Sequence, residues 1–203
     1  MKFTELVRRA SEYTKRFIFV HSYCLIGKGE KRKFQVMEKI YSKVNHFMLE
    51  CGEPYWLDYG TLLGFFREKD FISHDIDVDF ASNESSFGKI WASRHFLPKG
   101  FKMHDTSYKH RGSKLYINYL GFDADIYFYE NRKDQLRNFA ISSIPSENAW
   151  FDESLVYPLI ETEFKGLTCF IPQLTEQYLT RIYGYIGSDA VFNPLTGYYK
   201  KRG

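Results

Sequence analysis

Trp56-Leu57-Asp58-Tyr59-Gly60-Thr61-Leu62-Leu63-Gly64-Phe65-Phe66-Arg67-Glu68-Lys69-Asp70-Phe71-Ile72-Ser73-His74-Asp75-Ile76-Asp77-Val78-Asp79-Phe80 carries more information than the rest of the chain. Gly60 and Thr61 open a short helix that runs to Arg67. A strand is expected over 75–81, with Asp75, Asp77 and Asp79 at every second position. Residues two apart on a strand point to one side, so the three carboxylates share a face. Strands are normally depleted in Asp, and such a face needs a cation or cationic partners. A divalent-metal site for phosphoryl or nucleotidyl transfer is the reading that follows.

Same-face neighbours on a strand lie ~6.7 Å apart at Cα, and Asp75 and Asp79 ~13 Å apart. One ion is therefore held by Asp75 with Asp77, or by Asp77 with Asp79. Asp125, in the β-rich run Phe122 to Phe128, can add a third carboxylate from a paired strand ~4.8 Å away. Asp123 reads as a turn or strand-start residue. Two carboxylates ~5 Å apart repel by about 3 kcal/mol at an effective dielectric near 20. A hard cation with oxygen ligands, Mg²⁺ or Mn²⁺, relieves that repulsion. The competing reading is an exposed edge strand, against which Ile72, Ile76, Val78 and Phe80 suggest burial of the opposite face.

Gly60 lets backbone come close to a phosphate. Thr61 places a hydroxyl and an amide at a helix N-terminus, which suits anions. Arg67 and Lys69 are candidate anion contacts, Lys69 being equally well explained as a surface residue. His74 reads as a hydrogen-bonded neutral imidazole rather than a ligand.

The 203 residues fit one domain with an added helical layer. A hydrophobic content of 44% supports a core, and 19 Phe and 16 Tyr make it bulky. The net charge of +3, without a concentrated basic stripe, gives no reason to expect nucleic acid. Cys24, Cys51 and Cys169 show neither zinc spacing nor a disulfide framework, which favours a reducing compartment. No apolar run approaches the ~18 residues of a membrane span. The expectation is a cytoplasmic protein. The basic, aromatic N-terminus reads as a helix packed on the domain, the alternative being peripheral contact with the inner face of a membrane.

The order of elements implies an α+β fold with a small mixed β-sheet flanked by helices. An N-terminal helical extension (1–30, with a helix over 3–18) precedes a core over 31–184 and a tail over 185–203. Phe34, Met37, Tyr41, Val44 and Met48 recur at helical steps and predict a helix over 32–51, closed by Gly52 and Pro54. A strand at 55–58 follows. A helix capped by Ser82 or Asn83 is expected to run to His95. Strands are expected near 101–106, 114–120 and 122–129, a helical or irregular stretch over 132–140, a strand pair within 144–171, and a last helix over 173–183.

Leu57-Asp58-Tyr59-Gly60-Thr61-Leu62-Leu63-Gly64, Arg67-Glu68-Lys69, Phe71-Ile72 and the Asp75–Asp79 run together resemble the LicD family, whose relatives include the fukutin-type transferases of the nucleotidyltransferase fold. Asp125-Ile126-Tyr127, Phe164-Lys165-Gly166 with Pro172, Tyr178-Leu179 and Tyr183-Gly184 are similar to its later blocks. The resemblance spans roughly 34–184. His74, Tyr59 and Tyr185 depart from the family pattern. By motif position Asp77 and Asp79 form the metal-binding pair and Asp125 the third carboxylate, leaving Asp75 in support. What the resemblance implies is transfer of a phospho-alcohol (phosphocholine, or glycerol or ribitol phosphate) from a CDP-linked alcohol donor to a carbohydrate or glycolipid acceptor. The products are those of lipopolysaccharide, capsule or teichoic acid assembly. A nucleotidyltransferase using an NTP, and a non-catalytic nucleotide- or glycan-binding module, are the alternatives.

Overall fold

Tyr55, Trp56 and Leu57 are buried at three consecutive positions, so the strand they form (β1, Tyr55–Leu57) is enclosed on both faces. It pairs antiparallel with β2 (Asp77–Asn83), placing Leu57 opposite Phe80. This is a computed structural model, and it describes residues 3–24, 29–109, 112–138 and 150–203. His110, residues 25–28, the 139–149 part of the expected later elements, and the side chains of His21 and Cys24 lie outside the described residues.

The main sheet has the path β1-β2-β5-β4-β3, with β3 at Lys102–Asp105, β4 at Lys114–Tyr119 and β5 at Phe122–Arg132. β2 and β5 are parallel neighbours, and the other pairings along the path are antiparallel, so the sheet is mixed. Two short strands, β6 (Gln135–Arg137) and β7 (Phe151–Asp152), extend it from β5. The stretch after 132, expected to be helical or irregular, thus begins as sheet: Lys133, at φ 59, supplies the left-handed residue of the β5–β6 turn.

The apolar face carries Val78 and Phe80 of β2, Ala124 and Ile126 of β5, and Leu115 and Ile117 of β4, all buried. The helix α2 (Gly29–Cys51) covers it with Met37, Tyr41, Val44 and Met48, none of them exposed. Tyr41 stacks parallel to Phe80 at 6.1 Å between centroids. A separate hairpin, β8 (Ile160–Phe164) with β9 (Leu167–Ile171), inserts Phe164 against Tyr41 and Phe71. The fold is α+β, with its polar carboxylates on the sheet face opposite α2.

Several boundaries move. The carboxylate strand starts at Asp77, not at 75. Asp75 lies in the turn before it, its N–H donating to the Ile72 carbonyl at 3.0 Å, and Ile76 is exposed. The helix expected after Asn83 is broken into a 3₁₀ turn, a short α4 (Phe87–Ala92) and a second 3₁₀ turn, and Asn83 makes no side-chain cap. The last helix is α5 (Thr175–Tyr183). The residues beyond it fold back as a hairpin, β10 (Ala190–Asn193) with β11 (Tyr198–Lys201), turned at Pro194 to Gly197.

The N-terminal helix α1 (Phe3–Cys24) is inverted relative to an ordinary surface helix. Its polar side meets the domain: Arg9 pairs with Asp123 at 3.0 Å and lies 3.9 Å over the Tyr116 ring, while Glu12 is buried. Leu6, Val7, Tyr13, Phe17 and Ile18 face outward and are exposed. Among the described residues no helix is long and apolar enough to cross a membrane.

Candidate metal centre

Asp77 and Asp79 emerge from the first residues of β2, on the face opposite α2. β5 runs parallel beside them in a register that sets Asp125 directly against Asp79 and Asp123 against Asp77. One carboxylate oxygen from each of Asp77, Asp79 and Asp125 lies within 4.8 Å of the others. Asp123, on the same face, is not part of this group and is held by Asn118 at 2.7 Å and Arg9 at 3.0 Å.

Asp79 is fixed at three points. Its N–H donates to Thr61 Oγ1 at 2.8 Å, its carbonyl accepts from the Asp58 N–H at 3.1 Å, and its Oδ2 accepts from the Gly60 N–H at 3.0 Å. The Gly-Thr turn therefore positions the Asp79 carboxylate within the fold. Thr61 is buried and its hydroxyl serves the backbone of Asp79, a structural use that the phosphate-binding expectation did not foresee. Gly60 leaves room for a neighbour: a Cβ there would stand 2.7 Å from Asp75 Oδ2 and 3.3 Å from Asp79 Oδ2. Asp75 thus approaches the centre from the turn.

Burial pushes the Asp77 carboxyl up to about 6, with Asp125, Asp75 and Asp123 adding repulsion. Burial, then Asp77 and Asp125, raises Asp79 well above the usual carboxylate range. Asp75 is also raised, chiefly by burial. Lys114 of β4 sends its ammonium to Asp125 Oδ2 at 2.7 Å, and the Tyr127 hydroxyl donates to the same oxygen at 3.1 Å. Three ionised carboxylates against one ammonium leave two uncompensated negative charges, the charge of one divalent cation. The oxygen-only donor set suits Mg²⁺ or Mn²⁺, so the residues fit such an ion, held by Asp77, Asp79 and Asp125.

Asp58 was quoted in the sequence motif but given no role; its position just before Gly-Thr was the available signal. It caps α3 (Tyr59–Glu68) by accepting from the Tyr59 N–H, and is fully buried. Tyr178 of α5 donates to its Oδ1 at 2.8 Å and Tyr129 of β5 to its Oδ2 at 2.9 Å, with the two hydroxyls 2.7 Å apart. The carboxylate is thus enclosed by two hydroxyls, whose hydrogen bonds favour its ionised form. Burial outweighs them and pushes the Asp58 carboxyl up to about 6. Lys114 had no signal in sequence, because only the β4–β5 pairing brings it to Asp125.

Arg67 lines a cleft next to Gly60 and Asp75. Lys69 does not line it: this residue ends α3 at φ 55, and its ammonium lies over the Phe65 ring at 4.1 Å. The His74 side chain, 83% exposed, borders the cleft 3.9 Å from Asp75 and lacks the hydrogen-bonded setting expected of it.

The family model described as LicD/FKTN/FKRP, nucleotidyltransferase domain, matches residues 52–173. That span contains β1, the Gly-Thr turn and all three carboxylates of the centre. The chain is also similar to an uncharacterized protein of Rickettsia typhi, 26% identical over 160 residues that cover 74% of this chain and 48% of the relative. The chain spans about half the length of that curated relative.

Proposed function

We propose, from the premise that this chain belongs to the LicD family, that it is a metal-dependent phosphotransferase moving a phospho-alcohol from a CDP-activated donor to a hydroxyl of a surface glycan. Family membership indicates a transferase of phosphotransferase-like or glycan-modifying kind. The finer reading is carried by one observation: Asp77, Asp79 and Asp125 converge within 4.8 Å from two adjacent parallel strands.

The reaction would be an in-line displacement. The acceptor oxygen forms a bond to the donor phosphorus, the bond from that phosphorus to CMP breaks, and CMP leaves with the electron pair. A bound Mg²⁺ or Mn²⁺ would neutralise the diphosphate and the charge that develops on the departing CMP. Asp77, Asp79 and Asp125 would hold the ion, and Asp125 would take the acceptor proton. The Gly60 N–H and the Thr61 hydroxyl keep Asp79 in place. Arg67 contacts the donor phosphates from the cleft, a planar guanidinium being suited to phosphate oxygens. The outward apolar face of α1 would be the surface for a peripheral contact with the inner leaflet of a membrane that carries the acceptor.

The test is a thermal-shift screen of CDP-choline, CDP-glycerol, CDP-ribitol and NTPs with and without Mg²⁺, followed by leaving-group analysis. A Mg²⁺-dependent rise in melting temperature with one CDP-alcohol, and release of CMP, is expected. Pyrophosphate release from an NTP would replace this reading with nucleotidyl transfer. Ligand binding with no turnover on any donor would replace it with a binding module.

A further inference from the structure

The cleft beside the metal centre has a volume of about 250 Å³. Gly60, Asp75 and Arg67 form its near side. Its far wall comes from the end of α5 and the chain that follows it: Tyr183, Tyr185, Ile186 and Tyr199. All four lie beyond residue 173, where the family match ends.

The wall is built, not draped. The Tyr185 N–H donates to the Tyr199 carbonyl at 3.0 Å, and Gly184 forms a bridge with Tyr199. The approach is too close for a side chain, since a Cβ on Gly184 would stand 2.8 Å from the Tyr199 carbonyl oxygen. The Tyr185 hydroxyl is tied to Asp189 at 2.7 Å, which orients its ring. The Tyr199 ring packs edge-on against Tyr183 and Phe192, at 6.0 and 5.4 Å, yet stays 38% exposed.

Aromatic faces accept a planar ring, and a guanidinium accepts a phosphate. The same guanidinium disfavours a quaternary ammonium group, for which tyrosines alone would form a cage. Gly60 joins the cleft to the centre, because it lines the one and its N–H holds a carboxylate of the other.

We propose that Arg67 and the β10–β11 hairpin form the nucleoside-phosphate subsite of the donor. The base lies against Tyr185 and Tyr199, a phosphate sits on Arg67, and the phosphate chain runs past Gly60 to the carboxylates. The assignment rests on the transferase reading for the presence of a nucleotide donor, but not on which alcohol is transferred.

Isothermal titration of the full chain with CMP and with ribose 5-phosphate, which lacks the base, tests it without turnover. Wild type is expected to prefer CMP. Tyr199→Ala should weaken CMP about tenfold, the effect of removing one stacking partner, and leave ribose 5-phosphate unchanged. Tyr199→Phe should keep CMP affinity, and Arg67→Ala should weaken both ligands. A Mn²⁺-induced thermal shift in Tyr199→Ala equal to that of wild type shows that the fold and the carboxylate site are intact. Equal affinity of wild type for the two ligands, or wild-type CMP affinity in Tyr199→Ala, overturns the subsite. If CMP binds as expected while no CDP-alcohol is turned over, the transferase reading fails and the subsite stands. If CDP-alcohol turnover shows an unchanged KM in Tyr199→Ala, the subsite fails and the transferase reading stands.

Discussion

The ammonium of Lys114 stands 2.7 Å from Oδ2 of Asp125, with each side chain only 13% exposed. The pair comes from adjacent antiparallel strands, β4 and β5, and occupies the third corner of the carboxylate centre. Lys114 would therefore compete with a bound metal ion for Asp125. Removing one partner of a buried ion pair typically costs about 3–5 kcal/mol, and partial exposure puts this one at the lower end. Lys114→Met is expected to melt lower than wild type without metal and to gain more from Mn²⁺. Scanning fluorimetry with and without Mn²⁺ measures both, and equal Mn²⁺ gains in the two proteins would rule out competition.

Asp77→Asn should act in the opposite sense. Asp77 is raised by burial and by repulsion from Asp125 and Asp75. Replacing it with a neutral isostere relieves that repulsion, of about 3 kcal/mol for a close pair. The metal-free variant is expected to melt at or above wild type while losing the Mn²⁺-induced shift and turnover. A variant that keeps a wild-type Mn²⁺ shift contradicts the assignment of Asp77 as ligand.

Asp58 and Asp77 each titrate near 6 in the fold, against ~3.9 for an unfolded Asp. A raised folded value means stability that is full below the unfolded pKa and is lost as pH rises through about 6. Without metal the protein should therefore be more stable at pH 5 than at pH 7.5, by on the order of 1 kcal/mol per group. Metal needs the ionised carboxylates, so the stabilisation by Mn²⁺ should be larger at pH 7.5. Urea unfolding at the two pH values checks the sign, and a metal-free protein that is weaker at pH 5 would falsify it.

Thr61 accepts the Asp79 N–H inside the fold, at 2.8 Å. Thr61→Val keeps the shape and leaves that buried N–H without a partner, at a cost of about 1–3 kcal/mol. Thr61→Ser keeps the oxygen and should recover most of the loss. Denaturant midpoints for the pair, together with Mn²⁺ affinity, separate a polar anchor from a packing contact. If Ser is as damaging as Val, the methyl group and not the hydroxyl is what Thr61 contributes.

Local pattern was enough for elements whose side chains repeat in register with the backbone. Met37, Tyr41, Val44 and Met48 predict α2 because helical spacing puts them on one stripe, and that stripe covers the sheet. The same logic failed where alternation ran past the strand. Asp75 continues the every-second-residue pattern of Asp77 and Asp79, but its N–H closes a turn onto Ile72. Spacing cannot distinguish the last residue of a turn from the first of a strand. The α1 helix is amphipathic in sequence, and only its packing shows the polar side turned inward, where Arg9 meets Asp123.

By itself the sequence determined the α+β class and the LicD family, and a strand period of two put Asp77 and Asp79 on one face, because a dense local motif needs no knowledge of distant residues. Asp125 was legible as a third carboxylate from a paired strand, but tertiary structure alone decided the register that sets it against Asp79, that Lys114 balances it, and that Asp58 is enclosed by Tyr129 and Tyr178. It also folded residues beyond Tyr183 into the wall of the cleft next to Arg67. Each of these joins chain segments far apart in sequence. Strand register and the burial of charge fix such contacts, and neither leaves a mark on the local order of residues.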